Sequence, residues 1–158
     1  TALTIDSSGN VTSQSPLSVT DPIIVVAYST TTFTSTGILI WNNKPIDTAN
    51  AYSTTTGQFT APRAGYYDIG FQYLFRGSSG SYHRVNVRKN NTKVHMPSQS
   101  DATMIYTNIG GQIMQGARTV VECAVNDTLD VYIQTIQSPS DIYGNGNCHN
   151  QLVIKYIG

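Results

Sequence analysis

A strict alternation of side chains between residues 66 and 75 constrains the fold of this chain more than any other stretch of its sequence. The odd positions carry large apolar or aromatic residues, namely Tyr67, Ile69, Phe71, Tyr73 and Phe75. The even positions carry Tyr66, Asp68, Gly70, Gln72 and Leu74. A period of two over this length predicts a β-strand with one face in a hydrophobic core. The other segments are therefore expected to pack against the odd face of this strand.

Short apolar or alternating segments, separated by turns rich in Gly, Asn, Pro and Ser, recur along the chain. They predict strands within residues 23–29, 37–41, 50–52, 66–75, 82–89, 94–96, 107–125, 129–137 and 151–157. The stretch from Asn42 to Pro45 is typical of a turn. No segment longer than one turn combines helical spacing with capping residues. The chain is therefore predicted to be all-β and to form a two-sheet sandwich or jelly roll.

Residues 1–21 contain few apolar side chains around a DSSGN turn. This segment has too few apolar side chains to form a hydrophobic core. It is predicted to be a stalk, a linker or an edge hairpin before a single domain at residues 22–158. Its LTIDSSGNV motif loosely resembles repeats of phage fibres and other extended trimeric appendages. Because the chain starts at Thr1 without a signal-peptide pattern, we expect a fragment or a processed product.

The low charge of the chain argues against two classes of partner. Charged residues make up 11% of the 158 residues, against roughly 25% in typical soluble domains. The 9 basic and 9 acidic residues balance, so the attraction that nucleic acids or anionic membranes require is missing. The longest apolar runs are strand-sized, far below the roughly 20 residues of a membrane-spanning helix. Neither nucleic-acid binding nor membrane insertion is predicted.

The sequence lacks the motifs of enzymes and metal sites. The histidines are isolated from one another: His83, His95 and His149. No HExxH or GxSxG pattern occurs, and acidic residues are too few for an evident acid-base pair. We therefore predict no enzymatic activity, no cofactor and no metal. Calcium is the least improbable ion, with Asp101, Asp127 and Asp141 as its candidate ligands.

The two cysteines, Cys123 and Cys148, belong to no metal-binding spacing. The predicted strand at residues 129–137 separates them, and a strand of that length extends over roughly 30 Å. The cysteines should then lie toward opposite ends of the sandwich, far beyond the roughly 7 Å that a disulfide allows between Cα atoms. Both are predicted to be free thiols in or near a core.

A motif of Gly, aromatic and Pro residues surrounds the alternating strand: Gly57, Phe59, Ala61, Pro62, Gly65, Tyr66 and Tyr67. A Lys-Asn turn follows at Lys89 and Asn90, and an acidic turn follows at Asn126 and Asp127. Over residues 22–157, this order resembles the globular head domain of the complement C1q family, a relative of the tumour necrosis factor fold. The resemblance implies a ten-strand jelly roll of two antiparallel sheets that assembles as a tight homotrimer. Unlike animal members, this chain shows no collagen-like Gly-x-y repeat.

Two surfaces follow from these patterns. In a jelly roll of this kind one sheet contacts the trimer mates and needs an apolar outer face. Our hypothesis is that the threefold contact is lined by Tyr66, Leu74, Val153 and Ile157. On the strand at residues 82–89, a possible surface for an anionic or sugar ligand carries Tyr82, Arg84 and Arg88. A solvated outer face is the other interpretation of these three residues.

Two functions are consistent with these observations. The first is a non-enzymatic, trimeric structural or adhesion head of a virion or phage, such as a fibre tip, a receptor-binding protein or a capsid decoration protein. Its partners would be copies of itself together with other virion proteins or a host-surface glycan or protein. It would lie on the virion surface or outside the cell. The alternative is a secreted cellular C1q-like recognition module that binds glycans or proteins.

Overall fold

The computed structural model describes residues 3–5, 11–13, 22–78, 81–94, 103–107, 111–136, 140–144 and 149–158; for residues 3–5, 11–13, 81, 93 and 103–107 it describes the backbone. This part of the chain consists of strands and turns. The strands are β1 (Leu3–Ile5), β2 (Val11–Ser13), β3 (Ile24–Tyr28), β4 (Gly37–Ile38), β5 (Asn43–Asp47), β6 (Phe59–Thr60), β7 (Gly65–Gly77), β8 (Ser81–Lys89), β9 (Thr92–Lys93), β10 (Thr103–Thr107), β11 (Gly111–Cys123), β12 (Thr128–Ile136), β13 (Asp141–Ile142) and β14 (Gln151–Tyr156). Within the described ranges, no helix has the length and hydropathy needed to cross a membrane.

Two antiparallel sheets enclose the hydrophobic core. The β7 sheet has the order β11-β7-β14-β3-β5, and β13 also pairs with β7. The β8 sheet has the order β10-β8-β12-β4, with β6 paired to β12 and β9 paired to β8. Strands β1 and β2 pair with each other. The prediction of an all-β sandwich of two antiparallel sheets is confirmed.

Strand β7 occupies the centre of its sheet. It pairs with β11 over its whole length and with β14 on its other side. Its odd side chains are all buried in the core: Tyr67, Ile69, Phe71, Tyr73 and Phe75. The β8 sheet meets them with the buried side chains of Val85, Val87, Leu129, Val131 and Ile133. The predicted core face of the alternating strand is therefore confirmed.

The stretch from Asn42 to Pro45, predicted as a turn, instead enters strand β5. This strand pairs with β3 at the edge of the β7 sheet. An edge strand tolerates Pro45 because proline has no N–H to donate into a ladder. The Lys44 ammonium anchors the strand, donating to Asp47 Oδ2 and to the Tyr52 carbonyl oxygen, each at 2.9 Å. Pairing with a distant strand, rather than local turn propensity, decides the structure here.

Candidate functional site

The side of the β7 sheet that points away from the core exposes large apolar side chains. We call this surface the apolar face; its exposed large hydrophobic residues are Ile46, Tyr66, Met114, Val120, Val153 and Ile157. Strand register makes them part of one surface, because directly opposed residues on neighbouring antiparallel strands point to the same side. One row of paired residues crosses the sheet through Ile46, Val26, Val153, Gly70 and Arg118.

Three of the four residues predicted to line a subunit contact lie on this face, and Leu74 does not. Leu74 is only 5% exposed. The segment after β13 crosses it: the Tyr143 N–H donates to the Leu74 carbonyl at 2.8 Å, and Asn150 Oδ1 accepts from the Leu74 N–H at 3.0 Å. Its side chain is thus buried within its own subunit. Met114, the partner of Leu74 on β11, is the exposed residue at this end of the face.

An ion pair lies in the middle of the apolar face. Arg118 Nε donates to Asp68 Oδ1 at 2.7 Å, and a terminal guanidinium nitrogen donates to the other carboxylate oxygen. This guanidinium holds the pKa of the Asp68 carboxyl below its usual value. The Arg118 side chain passes over Gly70, where a Cβ would lie 3.7 Å from the arginine Cγ. A shallow depression of about 400 Å³ is lined by Gly70, Arg118, Val153 and Lys155.

Polar side chains predominate among the described side chains on the outward side of the β8 sheet. We call it the polar face; it carries Tyr82, Arg84, Asn86, Arg88, Asp130, Tyr132 and Gln134. The three residues predicted as a ligand surface all belong to it. Among the described residues, none of the exposed large hydrophobics lies on this face. The two sides of the sandwich therefore differ sharply in chemistry.

Arg88 is part of the structural framework of the polar face. Its Nε and a terminal nitrogen donate to both oxygens of Asp130, at 2.7 and 2.9 Å. The guanidinium lies over the Tyr132 ring, 3.9 Å from its centroid. Gln58 Nε2 also donates to the buried Asp130 carboxylate, at 3.4 Å. The Asp130 carboxylate already neutralises the charge of the Arg88 guanidinium, so Arg88 has little capacity to bind an anion.

Arg84 has a different environment. Its Nε is buried and has no hydrogen-bond partner in the described part of the chain. A β-bulge lies beside it: Val85 pairs with Ile133 while Arg84 pairs with Thr135, so Gln134 is the extra residue of β12. Gln134 Oε1 accepts a hydrogen bond from the Asn86 side-chain amide at 3.1 Å. Arg84, Asn86 and Gln134 thus form one polar cluster.

His83 lies in the core between the sheets and reaches neither face. It is fully buried, hydrogen-bonded through Nε2 to the Tyr73 hydroxyl at 2.7 Å and stacked on the Phe75 ring at 3.9 Å between centroids. No described residue hydrogen-bonds its buried Nδ1. Burial lowers the pKa of His83 to about 4, so its imidazole is neutral near pH 7.

The other candidate chemical groups are dispersed. Cys123 is a buried free thiol, as predicted, and burial raises its pKa to about 11, which suppresses thiolate reactivity. Asp141 pairs with Arg76 at one end of β7, whereas Asp127 lies in the turn at the other end. Asp101, His95 and Cys148 lie outside the described residues. In the described ranges no group of three or more metal-binding side chains comes together.

Comparison with known proteins identifies the family. Residues 24–152 match the model of the C1q domain. The chain belongs to the C1q domain family. C1q domains are generally non-enzymatic recognition modules that act outside cells and form trimers. No curated protein matches the chain.

Solved structures share the fold of this C1q domain. Murine APRIL, at pH 5.0 and at pH 8.5, aligns with a TM-score of 0.61 and 9% identity, covering 87% of this chain and 100% of APRIL. The globular domain of zebrafish complement 1qA protein aligns with a TM-score of 0.58 and 14% identity, covering 87% of this chain and 96% of its own. At these identities the likeness shows the fold alone.

The Lys-Asn and Asn-Asp motifs of this C1q domain stabilise a pair of turns. The Asn90 amide donates to Asp127 Oδ1 at 2.7 Å, and Asn90 Oδ1 accepts from the Thr128 N–H at 2.8 Å. Asp127 Oδ2 accepts from the Ala124 N–H at 2.8 Å. Asn90 and Asn126 have φ angles of 50° and 70°, a region that Asn tolerates better than most residues. These motif residues serve the fold rather than a ligand site.

Several residues of the two faces escaped the sequence-based prediction. On the apolar face they are Ile46, Met114 and Val120, and on the polar face they are Asn86 and Gln134. Met114 and Val120 occupy even positions of β11. The Gly and Gln residues in the first half of that strand obscured its apolar side. Gln134 carried no signal, because a bulge depends on strand pairing.

Proposed function

We propose that this C1q domain is a non-enzymatic recognition head that assembles as a homotrimer through its apolar face and binds its ligand with its polar face. The observation that carries the proposal is that six of the seven exposed large hydrophobic residues in the described ranges lie on one side of the sandwich, while Val125 lies in the turn between β11 and β12. Contiguous apolar side chains on a soluble domain mark a protein interface, because leaving them in water is unfavourable.

Further copies of the same chain are the occupants that best fit the apolar face. C1q domains typically form homotrimers, and a formal net charge of zero gives no strong repulsion between copies. We assign the contact to Tyr66, Val153 and Ile157, joined by Ile46, Met114 and Val120. The Asp68–Arg118 ion pair would become partly buried there and would favour one orientation of the neighbouring subunit.

For the biological setting, we propose the structural or adhesion head of a virion or phage. Residues 1–21, with their fibre-like LTIDSSGNV motif, support this assignment, as does the low content of charged residues in a chain rich in Ser, Thr and Asn. A secreted cellular recognition module is the alternative, since the C1q domain itself is equally consistent with both settings. In either setting the ligand is a glycan or a protein outside the cell.

Sedimentation equilibrium at micromolar concentration tests the assembly. We expect a species of three times the chain mass, and a monomer at this concentration would refute the trimer. Immunoblotting of purified particles from the source organism tests the setting. Copurification with particles supports the virion assignment, whereas recovery of the protein only as a secreted, particle-free form supports the cellular alternative.

A further inference from the structure

Arg84 is the arginine of the polar face that lacks a carboxylate among the described residues. Arg88 is bound by both oxygens of Asp130. The Arg84 Nε, in contrast, is shielded from water without an acceptor in the described ranges. A buried donor that makes no hydrogen bond is costly, and the cost is greater for a charged group. An anionic oxygen from outside the chain would remove this cost.

The surroundings of Arg84 suit a ligand rich in hydroxyl groups. The bulge in β12 places Gln134 beside Arg84, and Asn86, only 6% exposed, fixes it by donating to Oε1. This arrangement leaves the Gln134 Nε2 hydrogens as donors and Asn86 Oδ1 as an acceptor. Amides that offer both roles match sugar hydroxyls, which also donate and accept. The bulge therefore serves to hold a polar group in place next to the guanidinium.

The chemistry of the polar face favours a saccharide over other acidic partners. A protein partner would need an apolar contact at the centre of its interface, and none of the exposed large hydrophobic side chains that the structure describes lies beside Arg84 on this face. A nucleic acid would need many uncompensated cations, whereas among the described side chains of this face only Arg84 lacks a carboxylate partner. A saccharide with a single anionic group flanked by hydroxyls needs neither an apolar contact nor many cations.

We propose that the polar face binds an acidic saccharide, with Arg84 holding its carboxylate or sulfate group in a two-pronged contact and with Gln134 and Asn86 bonding neighbouring hydroxyls. This inference rests on the recognition role proposed above and names its ligand class. A trimer would present three such sites, so a ligand with repeated acidic sugars would bind more tightly than a single unit.

Titration calorimetry with the full chain tests this assignment. The probes are 3′-sialyllactose, 3′-sulfolactose, uncharged lactose and a glutamate-rich peptide. We expect both acidic sugars to bind at least ~10-fold more tightly than lactose, and the better of the two identifies the anionic group. Lactose that binds equally well, or a peptide that binds more tightly than either acidic sugar, would overturn the proposal.

Three variants locate the site. Arg84→Gln should weaken acidic-sugar binding by ~10-fold or more, while Arg84→Lys keeps the charge without the planar fork and should recover part of the affinity. Arg63→Gln is the matched control, because it removes the same charge from the segment before β7. Unchanged affinity in Arg84→Gln would refute the site, provided that its circular dichroism melting curve shows a folded protein.

The same samples separate this inference from the assembly. A trimer that ignores every acidic sugar contradicts the saccharide site and leaves the homotrimer standing. A monomer that binds acidic sugars through Arg84 contradicts the homotrimer and leaves the site standing, because all of its residues belong to one subunit.

Discussion

The apolar and polar faces are built from similar antiparallel strands, yet each uses arginine differently. On the apolar face Arg118 is paired with Asp68 although its side chain is 76% exposed, and Val120 and Val153 lie beside the pair. On the polar face Arg88 is paired and shielded from water, while Arg84 has no acceptor in the described ranges. The first arrangement suits a surface that a neighbouring subunit covers, and the second suits a surface that binds a small anion. Assembly and recognition should therefore be separable by mutation.

The largest effect is expected from a charge placed in the apolar face. Val153 lies at the middle of β14 and is 41% exposed, so Val153→Glu leaves no cavity in the subunit. In a subunit contact, the same carboxylate would be buried without a partner. We expect the trimer dissociation constant to rise by more than ~100-fold, equivalent to about 3 kcal/mol. Sedimentation velocity over a concentration series measures the shift.

Thr60→Glu is the matched control for that variant. Thr60 is exposed on β6, in the β8 sheet, so the substitution adds the same charge to the other side of the sandwich. It should leave the trimer intact. Equal dissociation in both variants would indicate a general charge effect and would break the distinction between the faces.

Acid should act on the core between the two faces through His83. Its folded-state pKa of about 4 lies below the ordinary value of 6.5, so the neutral imidazole stabilises the fold above pH 6.5. That contribution is lost as the pH falls from 6.5 toward 4 and amounts to about 3 kcal/mol in total. Urea unfolding at a fixed protein concentration should show this loss, and His83→Gln should lack it.

The carboxylates provide an internal check on that pH window. The pKa values of Asp68 and Asp127 are lowered below 3.8, so their contributions are lost at more acidic pH than that of His83. A wild-type protein whose stability is unchanged between pH 6.5 and 4 would contradict the buried neutral histidine.

The turn motif that belongs to neither face should affect stability without affecting assembly. Asn90→Ala removes three side-chain hydrogen bonds and places alanine at a φ of 50°. We expect a loss of about 2 kcal/mol in unfolding free energy. Asn90→Gly keeps the backbone freedom and should lose only about half as much. Chemical denaturation measures both losses, and equal losses would show that the backbone angle contributes little.

The smallest effect is expected from the ion pair in the apolar face. Asp68→Asn removes the carboxylate and leaves Arg118 without its partner, which should weaken the trimer by about 1 kcal/mol. Sedimentation of Asp68→Asn, Arg118→Gln and the double variant forms a double-mutant cycle. Additive effects would show that the pair contributes no specific coupling to assembly.

Local patterns predicted much of the fold. The odd face of β7 was predictable because consecutive residues show its period of two. The odd-numbered residues from Tyr67 to Phe75 are all buried, as this period predicts. The motif at Asn90 and Asp127 was visible for the same reason. Strand β5 was not, because its Asn, Lys and Pro residues favour a turn locally and only pairing with β3 makes it a strand.

The sites depend more strongly on contacts between distant segments. Leu74 has the alternation of an outward residue, but the segment around Tyr143 and Asn150 covers it. Arg84 and Arg88 are equivalent in their strand spacing. They differ because Asp130 lies opposite Arg88, whereas a bulge lies opposite Arg84. Strand register supplies that information, and one sequence does not reveal it.

The position of β14 has a consequence for how the protein is made. This strand follows the other described strands in chain order, yet it fits between β7 and β3. Until residues 151–156 emerge from the ribosome, the β7 sheet is split into two parts with unpaired inner edges. Such edges are prone to pair with other chains. A nascent subunit thus stays vulnerable to aggregation until β14 has been made, and truncation before residue 151 should leave both inner edges of the β7 sheet unpaired.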